Sequence, residues 1–319
     1  MTGATAARPR PWRMLLVAVA WGSCFVLIRW GLRDAPVLWF AALRALLAGA
    51  ALLAAALWAP GKRRERLVLH GASAWALTGV LALMNVTVAF GAMVASTTGT
   101  TTGVASVLAN AQALLVVLPA WWLFGERVRA GELAGVALGF GGLVLVAAPS
   151  GAGRGAWLAL LAAVGITAGA LLARLLADID VLVLGAWQFL VGGAVLAGAA
   201  VLVEGAPVIS WTPRFTAALA ALALAATALP YVLWFAELRR ASLTAVTAWT
   251  LLVPVAGVVL AVVVLGEGVT LLEGAGDAIV VVALVLVARS GRAAARSRPD
   301  RVPAPGESPR PGAVAERER

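Results

Sequence analysis

Chemistry in this chain is confined to a few polar side chains set among long apolar runs. Arg44, Asn85, Asn110, Gln112 and Gln188 each fall inside such a run. A guanidinium there could bind a carboxylate or another anion, and a carboxamide both donates to and accepts from a polar ligand. Arg44 also reads as a structural arginine, satisfied by helix-end carbonyls or a carboxylate. Asn110 and Gln112 are expected mid-helix. Being two residues apart they do not share a face, so at most one of them points straight into a cavity. Glu126 and Glu267 close two of the runs, and Asp277 lies deeper in a third, four residues after Glu273 and on its face. Such acids could carry a proton at the edge of a cavity, or simply fix helix ends and pair with arginines.

Other chemistries are excluded by what the chain lacks. Its one cysteine, Cys24, forms no intramolecular disulfide, and with one histidine, His70, at the edge of a run, it makes a multi-ligand zinc site or a Cys/His dyad improbable. No Walker A pattern is present, so this chain hydrolyses no ATP. Aromatics fall into two sets. Trp12, Trp39, Trp58, Trp122, Trp157 and Trp211 lie near run ends, where interfacial anchoring is the default. Trp21, Trp187, Tyr231, Trp234 and Trp249 lie deeper, and either line a pocket or pack helices.

The elements that carry these residues follow from composition. The 319 residues are 62% hydrophobic and 13% charged, with a mean hydropathy of +0.96. A soluble domain has about 45–50% apolar and about 25% charged residues, so the solvent here is mostly lipid. At about 20 residues per span, the apolar content fills roughly ten spans. They are expected at 14–32, 36–58, 70–93, 99–124, 131–148, 155–175, 181–203, 214–236, 242–265 and 270–288. The first lacks a small-residue cleavage site and reads as a retained helix. With the N-terminus in the cytoplasm, twelve basic residues fall inside before the tail is counted, and four fall outside (Arg29, Arg33, Arg154 and Arg214). The excess of basic residues in cytoplasmic loops puts both termini inside. The net charge of +10 therefore reports topology rather than nucleic-acid binding.

The chain also repeats. Displaced by 141 residues, 123–144 falls on 264–285 with nine of 22 positions identical, including Gly125/Gly266, Glu126/Glu267 and Glu132/Glu273. Two glutamates at one spacing in both copies are not explained by apolar composition. Five spans per copy is an odd number, so the copies have opposite orientations in the membrane. Inverted repeats recur in secondary transporters, with the substrate site near the midplane between the halves. Gln188 falls near the repeat image of Arg44, at an offset of 144.

Several features in order carry a resemblance. Trp21-Gly22-Ser23 opens the first span, and Arg44 lies about eight residues into the second. A Gly-Glu follows the fourth span of each half, Pro254 stands 13 residues before the second Gly-Glu, and Tyr231–Arg240 leads into the ninth span. Over about residues 12–288 the chain resembles the EamA family of the drug/metabolite transporter superfamily. One departure is Ala113 where the second half has Pro254, which leaves a kink there without a proline to cause it. The resemblance implies an all-α integral membrane protein of ten transmembrane helices in two inverted five-helix repeats. Residues 1–13 are then a cytoplasmic segment, 14–148 and 155–288 the two repeats, and 289–319 a disordered Arg- and Pro-rich cytoplasmic tail. It further implies a small-metabolite carrier, commonly outward, rather than an enzyme, working by alternating access in the cell membrane. The substrates would be amino-acid-like or drug-like. A lipid-modifying membrane enzyme or a lipid flippase is the alternative. Candidate substrate residues are Trp21, Arg44, Asn85, Asn110, Gln112, Gln188, Tyr231 and Trp249. The proton-coupling candidates are Glu126, Glu267 and Asp277. No cofactor or metal is expected. The expected partners are a small-molecule substrate and the lipid bilayer, with a homodimer left open and no nucleic acid.

Topology is directly testable. Reporter fusions at residue 292 and within the 149–154 loop are expected to report opposite sides of the membrane. Equal signals from the two fusions would refute ten spans in two inverted halves.

Overall fold

In hydrocarbon no water receives backbone N–H and C=O groups, so an apolar run of this length satisfies them internally as a helix. The computed structural model describes residues 9–58, 69, 71–116, 119, 122, 130–150, 153–176, 178–238, 249–250 and 252–296. Among these residues there are helices, turns and extended connections but no strand. Six helices are long and apolar enough to cross a bilayer, and the shorter apolar segments Leu133–Ala147 and Leu252–Leu265 join them. The helices are α1 (Pro11–Gly31), α2 (Val37–Trp58), α3 (Ala72–Ser96), α4 (Thr102–Ala109), α5 (Gln112–Leu115), α6 (Ala130–Ala147), α7 (Arg154–Leu175), α8 (Val181–Glu204), α9 (213–238), α10 (Leu252–Leu265) and α11 (Leu271–Arg296). His70, Glu126 and the chain beyond Arg296 lie outside the described residues.

Two corrections concern continuity. The fourth span is not one helix. α4 stops at Ala109, Asn110 and Ala111 form a turn, and α5 begins at Gln112. No proline causes the break. The Asn110 side-chain amide donates to the carbonyl of Ser106 at 2.7 Å, four residues back, while its backbone N–H is shared between the carbonyls of Ser106 and Val107, both at 3.2 Å. A side chain competing for the i−4 carbonyl loosens the helical ladder at that point. Asn110 and Gln112 are therefore not mid-helix, and their directions do not follow from one continuous helix. At the other end of the chain, α11 runs to Arg296 rather than ending near 288. The added stretch, Arg289–Arg296, is rich in Ala and Arg and meets no proline before Pro299.

α3 and α9 each change winding in mid-course. Leu83–Val88 in α3 and Ala221–Ala228 in α9 are π-helical, flanked on both sides by α-helix. In α9 the Thr227 hydroxyl donates to the carbonyl of Leu222, five residues back, at 2.7 Å. Such π turns are rare and tend to occur at functional sites.

Helix packing pairs α2 with α8 and α6 with α11, while α1 lies along α10 and α9, and α3 along α7. The α2–α8 contact is reciprocal. A Cβ on Gly49 would stand 2.9 Å from Leu190, and one on Gly193 would stand 3.0 Å from Leu46. Small residues let membrane helices approach backbone to backbone, where dispersion replaces the hydrophobic effect as the source of attraction. Gly198, on the same helix, faces open space. Gly193→Val is expected to destabilise the bundle by about 1–3 kcal/mol through overpacking, lowering the melting temperature in detergent. Gly198→Val is expected to leave it unchanged.

Candidate substrate site

The middle of the bundle holds a buried charge. Arg44, on α2, is 3% exposed. Its Nε donates to Thr227 Oγ1 at 2.9 Å, and its two terminal nitrogens donate to Met93 Sδ at 3.4 Å and Cys24 Sγ at 3.5 Å. The guanidinium carbon lies 3.9 Å from the centre of the Phe90 ring. Each of these partners is uncharged.

A second polar group stands beside it. Asn85 Nδ2 donates to Gln188 Oε1 at 3.2 Å, and Gln188 Nε2 donates to the Tyr231 hydroxyl at 3.1 Å. Glycines make the room. A Cβ on Gly169 would collide with the Asn85 side chain at 2.5 Å, and one on Gly185 with the Tyr231 ring at 2.6 Å. Aromatic rings connect the two groups: Phe90 lies 5.7 Å from Phe189, and Phe189 lies 5.7 Å from Tyr231 at an edge-on angle.

Both groups have one construction. Each joins a side chain of α2 or α8 to a side chain of a π segment contributed by the opposite end of the sequence: Arg44 to Thr227, and Gln188 to Asn85. Thus four candidates, Arg44, Asn85, Gln188 and Tyr231, come together around Phe90 and Phe189. The sequence marks Cys24 only as its one cysteine, and Met93, Thr227, Phe90 and Phe189 are not among its candidates. Apolar and aromatic residues are too common in spans to stand out, and the hydroxyl of Thr227 was the one available signal.

The remaining candidates lie elsewhere. Trp21 is 6.2 Å from Trp234, and Trp234 and Trp249 pack on Met14. Gln112 is half-buried, and the Asn110 amide is engaged by the Ser106 carbonyl. Glu267 caps α4: its carboxylate accepts from the N–H groups of Thr102 at 3.0 Å and Gly103 at 3.2 Å. It shares a cleft with Thr101, Glu273 and Asp277. Glu273 forms a reciprocal cap with Thr270, and Asp277 Oδ1 is shielded and makes no hydrogen bond. Trp12, Trp58, Trp122, Trp157 and Trp211 are all exposed, whereas the deep tryptophans are partly buried.

Ties at both ends hold α1 against α9. At the start of α1, Glu237 is fully buried and accepts from Arg13 and from the backbone N–H of Arg10, each at 3.0 Å. Past its end, Asp34 pairs with Arg214 at 2.7 Å and accepts from Thr212. At this same end Glu204 accepts from the N–H groups of Leu38 and Trp39 at the start of α2, and Arg29 donates to the Thr97 carbonyl.

The sequence model of the EamA-like transporter family matches residues 12–148 and again 153–289. The chain belongs to this family. The two matches begin 141 residues apart, the displacement at which the chain aligns with itself. Relatives extend over most of the EamA-like region. A probable amino-acid metabolite efflux pump of Salmonella typhimurium is 30% identical over 286 residues, covering 85% of this chain and 92% of that protein. A WAT1-related chloroplastic protein of Arabidopsis thaliana is 27% identical, covering 84% of this chain and 66% of its own length. A protein of known crystal structure superposes with a TM-score of 0.66 at 20% identity, over 88% of this chain and 97% of that one. This last likeness concerns the fold.

The two ion pairs differ in burial, and their removal should differ accordingly. Glu237→Ala leaves Arg13 without its carboxylate in a buried setting and is expected to cost about 3 kcal/mol. Arg214→Ala removes a half-exposed partner and should cost under about 1 kcal/mol. Thermal melting of the two purified variants in one detergent checks the order.

Proposed function

We propose that this EamA-family transporter is a secondary exporter of small metabolites, resident in the cell membrane, whose two inverted five-helix halves rock around a central site. Ten spans and cytoplasmic termini are part of the proposal. The observation that carries it is the matched pair of hydrogen bonds at mid-bundle, Arg44 to Thr227 and Gln188 to Asn85. Each ties the second helix of one half to the π segment of the third helix of the other. Arg44 and Gln188 stand 144 residues apart, as do Gly49 and Gly193 with their reciprocal contacts. A two-fold relation between halves of opposite orientation would generate this pattern. The naming of two relatives as probable amino-acid metabolite efflux pumps, in Salmonella typhimurium and Escherichia coli, supports export and small polar cargo.

In this reading Arg44, Asn85, Gln188 and Tyr231 contact substrate directly. Trp21 and Trp249 line the approach from the end marked by Glu237, and Asn110 and Gln112 lie at the hinge between α4 and α5. Polar groups persist at this depth because they face the bundle interior rather than lipid. Glu267 and Asp277 are the acids through which a proton gradient would act, with Glu126 as the partner of Glu267 in the sequence repeat.

Cells expressing the protein are expected to release a defined set of metabolites faster than cells carrying an empty vector. Gln188→Leu, which severs both bonds of its row, is expected to lower the initial efflux rate at least tenfold per membrane-inserted molecule. Wild-type rates from Gln188→Leu would remove this row from the site, and identical media from expressing and control cells would refute transport.

A further inference from the structure

The two mid-bundle groups match in geometry but not in charge. On one side an α2 side chain meets a π segment as a guanidinium, and on the other an α8 side chain meets a π segment as a neutral carboxamide. A binding site built on two equivalent positions, one charged and one not, has a direction, and the charge identifies the cargo. We infer that the transported species is an organic monoanion whose carboxylate is received by Arg44 and whose uncharged body lies along Phe90 and Phe189 toward Gln188 and Tyr231. The inference rests on the transport reading above and deepens it by naming the substrate class.

Three features of Arg44 carry this. First, among the described residues its charge has no counter-charge: the hydrogen bonds and ring contact it makes there are to a hydroxyl, two sulfurs and a phenyl ring. Among the described residues the ion pairs are Arg13–Glu237 and Arg214–Asp34, at the two ends of α1. A lone charge in a low-dielectric interior is strongly disfavoured until an opposite charge joins it. A monoanion brings the site to neutrality. A zwitterion leaves the site's net charge at +1, and an amine raises it to +2.

Second, the two terminal nitrogens are held by sulfur. A thioether and a thiol are weak acceptors, and their distances of 3.4 and 3.5 Å to Arg44 are long beside the 2.9 Å bond from Nε to Thr227. A carboxylate would exchange these two weak contacts for two charge-assisted bonds, which the planar guanidinium presents as a fork. The bond to Thr227 would stay and fix the orientation of the fork. Third, the Phe90 ring at 3.9 Å covers one face of the guanidinium. It holds the cation in place without using any of its N–H groups. Beyond Phe90, Phe189 and the edge-on Tyr231 ring continue an aromatic wall that suits an apolar or aromatic body.

The experiment compares spent medium from cells with an empty vector, wild-type protein, Arg44→Gln or Arg44→Lys, with membrane-inserted protein quantified in each. Compounds enriched by wild type over vector are expected to be carboxylates of net charge −1. Their efflux should fall at least tenfold in Arg44→Gln and recover in part in Arg44→Lys, which keeps the charge but not the fork. Enrichment of zwitterions, amines or neutral compounds instead would overturn the inference while leaving transport standing. So would undiminished carboxylate efflux from Arg44→Gln. Medium unchanged by wild-type expression would overturn the transport reading and the inference with it. A measurement on the purified wild-type protein guards against a variant that does not fold. 3-Phenylpropionate is expected to raise its melting temperature, whereas phenylalanine and phenethylamine at the same concentration are not; an equal or larger rise with either nitrogen-bearing compound would overturn the inference.

Discussion

The structure depends on one constraint: inside hydrocarbon every polar group must find its partner within the protein. Helix interiors meet the constraint automatically, but helix ends do not. Here carboxylates from distant parts of the chain complete several of them. Glu204 receives the first N–H groups of α2, Glu267 those of α4, and Glu273 closes the start of its own helix with Thr270. A carboxylate is a suitable cap because the unpaired N–H groups at a helix start carry partial positive charge. Glu204 and Glu267 thus cap helices across the sequence, and their long-range partners tie its two halves together at one end of the bundle.

The same constraint explains the π segments. A π turn widens the helix by one residue and leaves the local hydrogen-bond ladder less regular. In α9 the hydroxyl of Thr227 answers a carbonyl five residues back and, at the same time, accepts from Arg44. In α3 the Thr87 hydroxyl reaches across to the Gly192 carbonyl, and Asn85 reaches Gln188. Irregular winding within a span is tolerated where the freed groups are satisfied by neighbouring helices rather than exposed to lipid. The π segment of α3 packs on α8, and that of α9 packs on α2.

An arginine held by sulfur and a phenyl ring is poised rather than locked. Its cost of burial is only partly offset by one hydroxyl and one ring. Two weakly engaged donors remain, and a ligand with a stronger acceptor has an advantage over both. An equivalent carboxylate from the protein itself would have produced a stable internal ion pair and a closed site.

The sequence by itself determined the class of molecule and its family. A chain that is 62% apolar, with most of its charges near run ends, has to cross a bilayer, because hydrophobic burial on that scale has no soluble alternative. Arg44, Asn85 and Gln188 were legible as interior residues for the same reason: a polar group in an apolar run is conspicuous. The glutamates of the 141-residue repeat were legible because acidic identities are rare in such a composition. Tertiary structure alone decided which of these residues meet. Arg44 and Thr227 are 183 residues apart, and Asn85 and Gln188 are 103 apart. It decided that Asn110 ends a helix rather than sitting within one, because competition for the Ser106 carbonyl depends on a rotamer that no periodicity reveals. It also recruited Phe90, Phe189, Met93 and Cys24, whose types are ordinary in any membrane helix. They acquire a role only through the face they turn toward a buried charge.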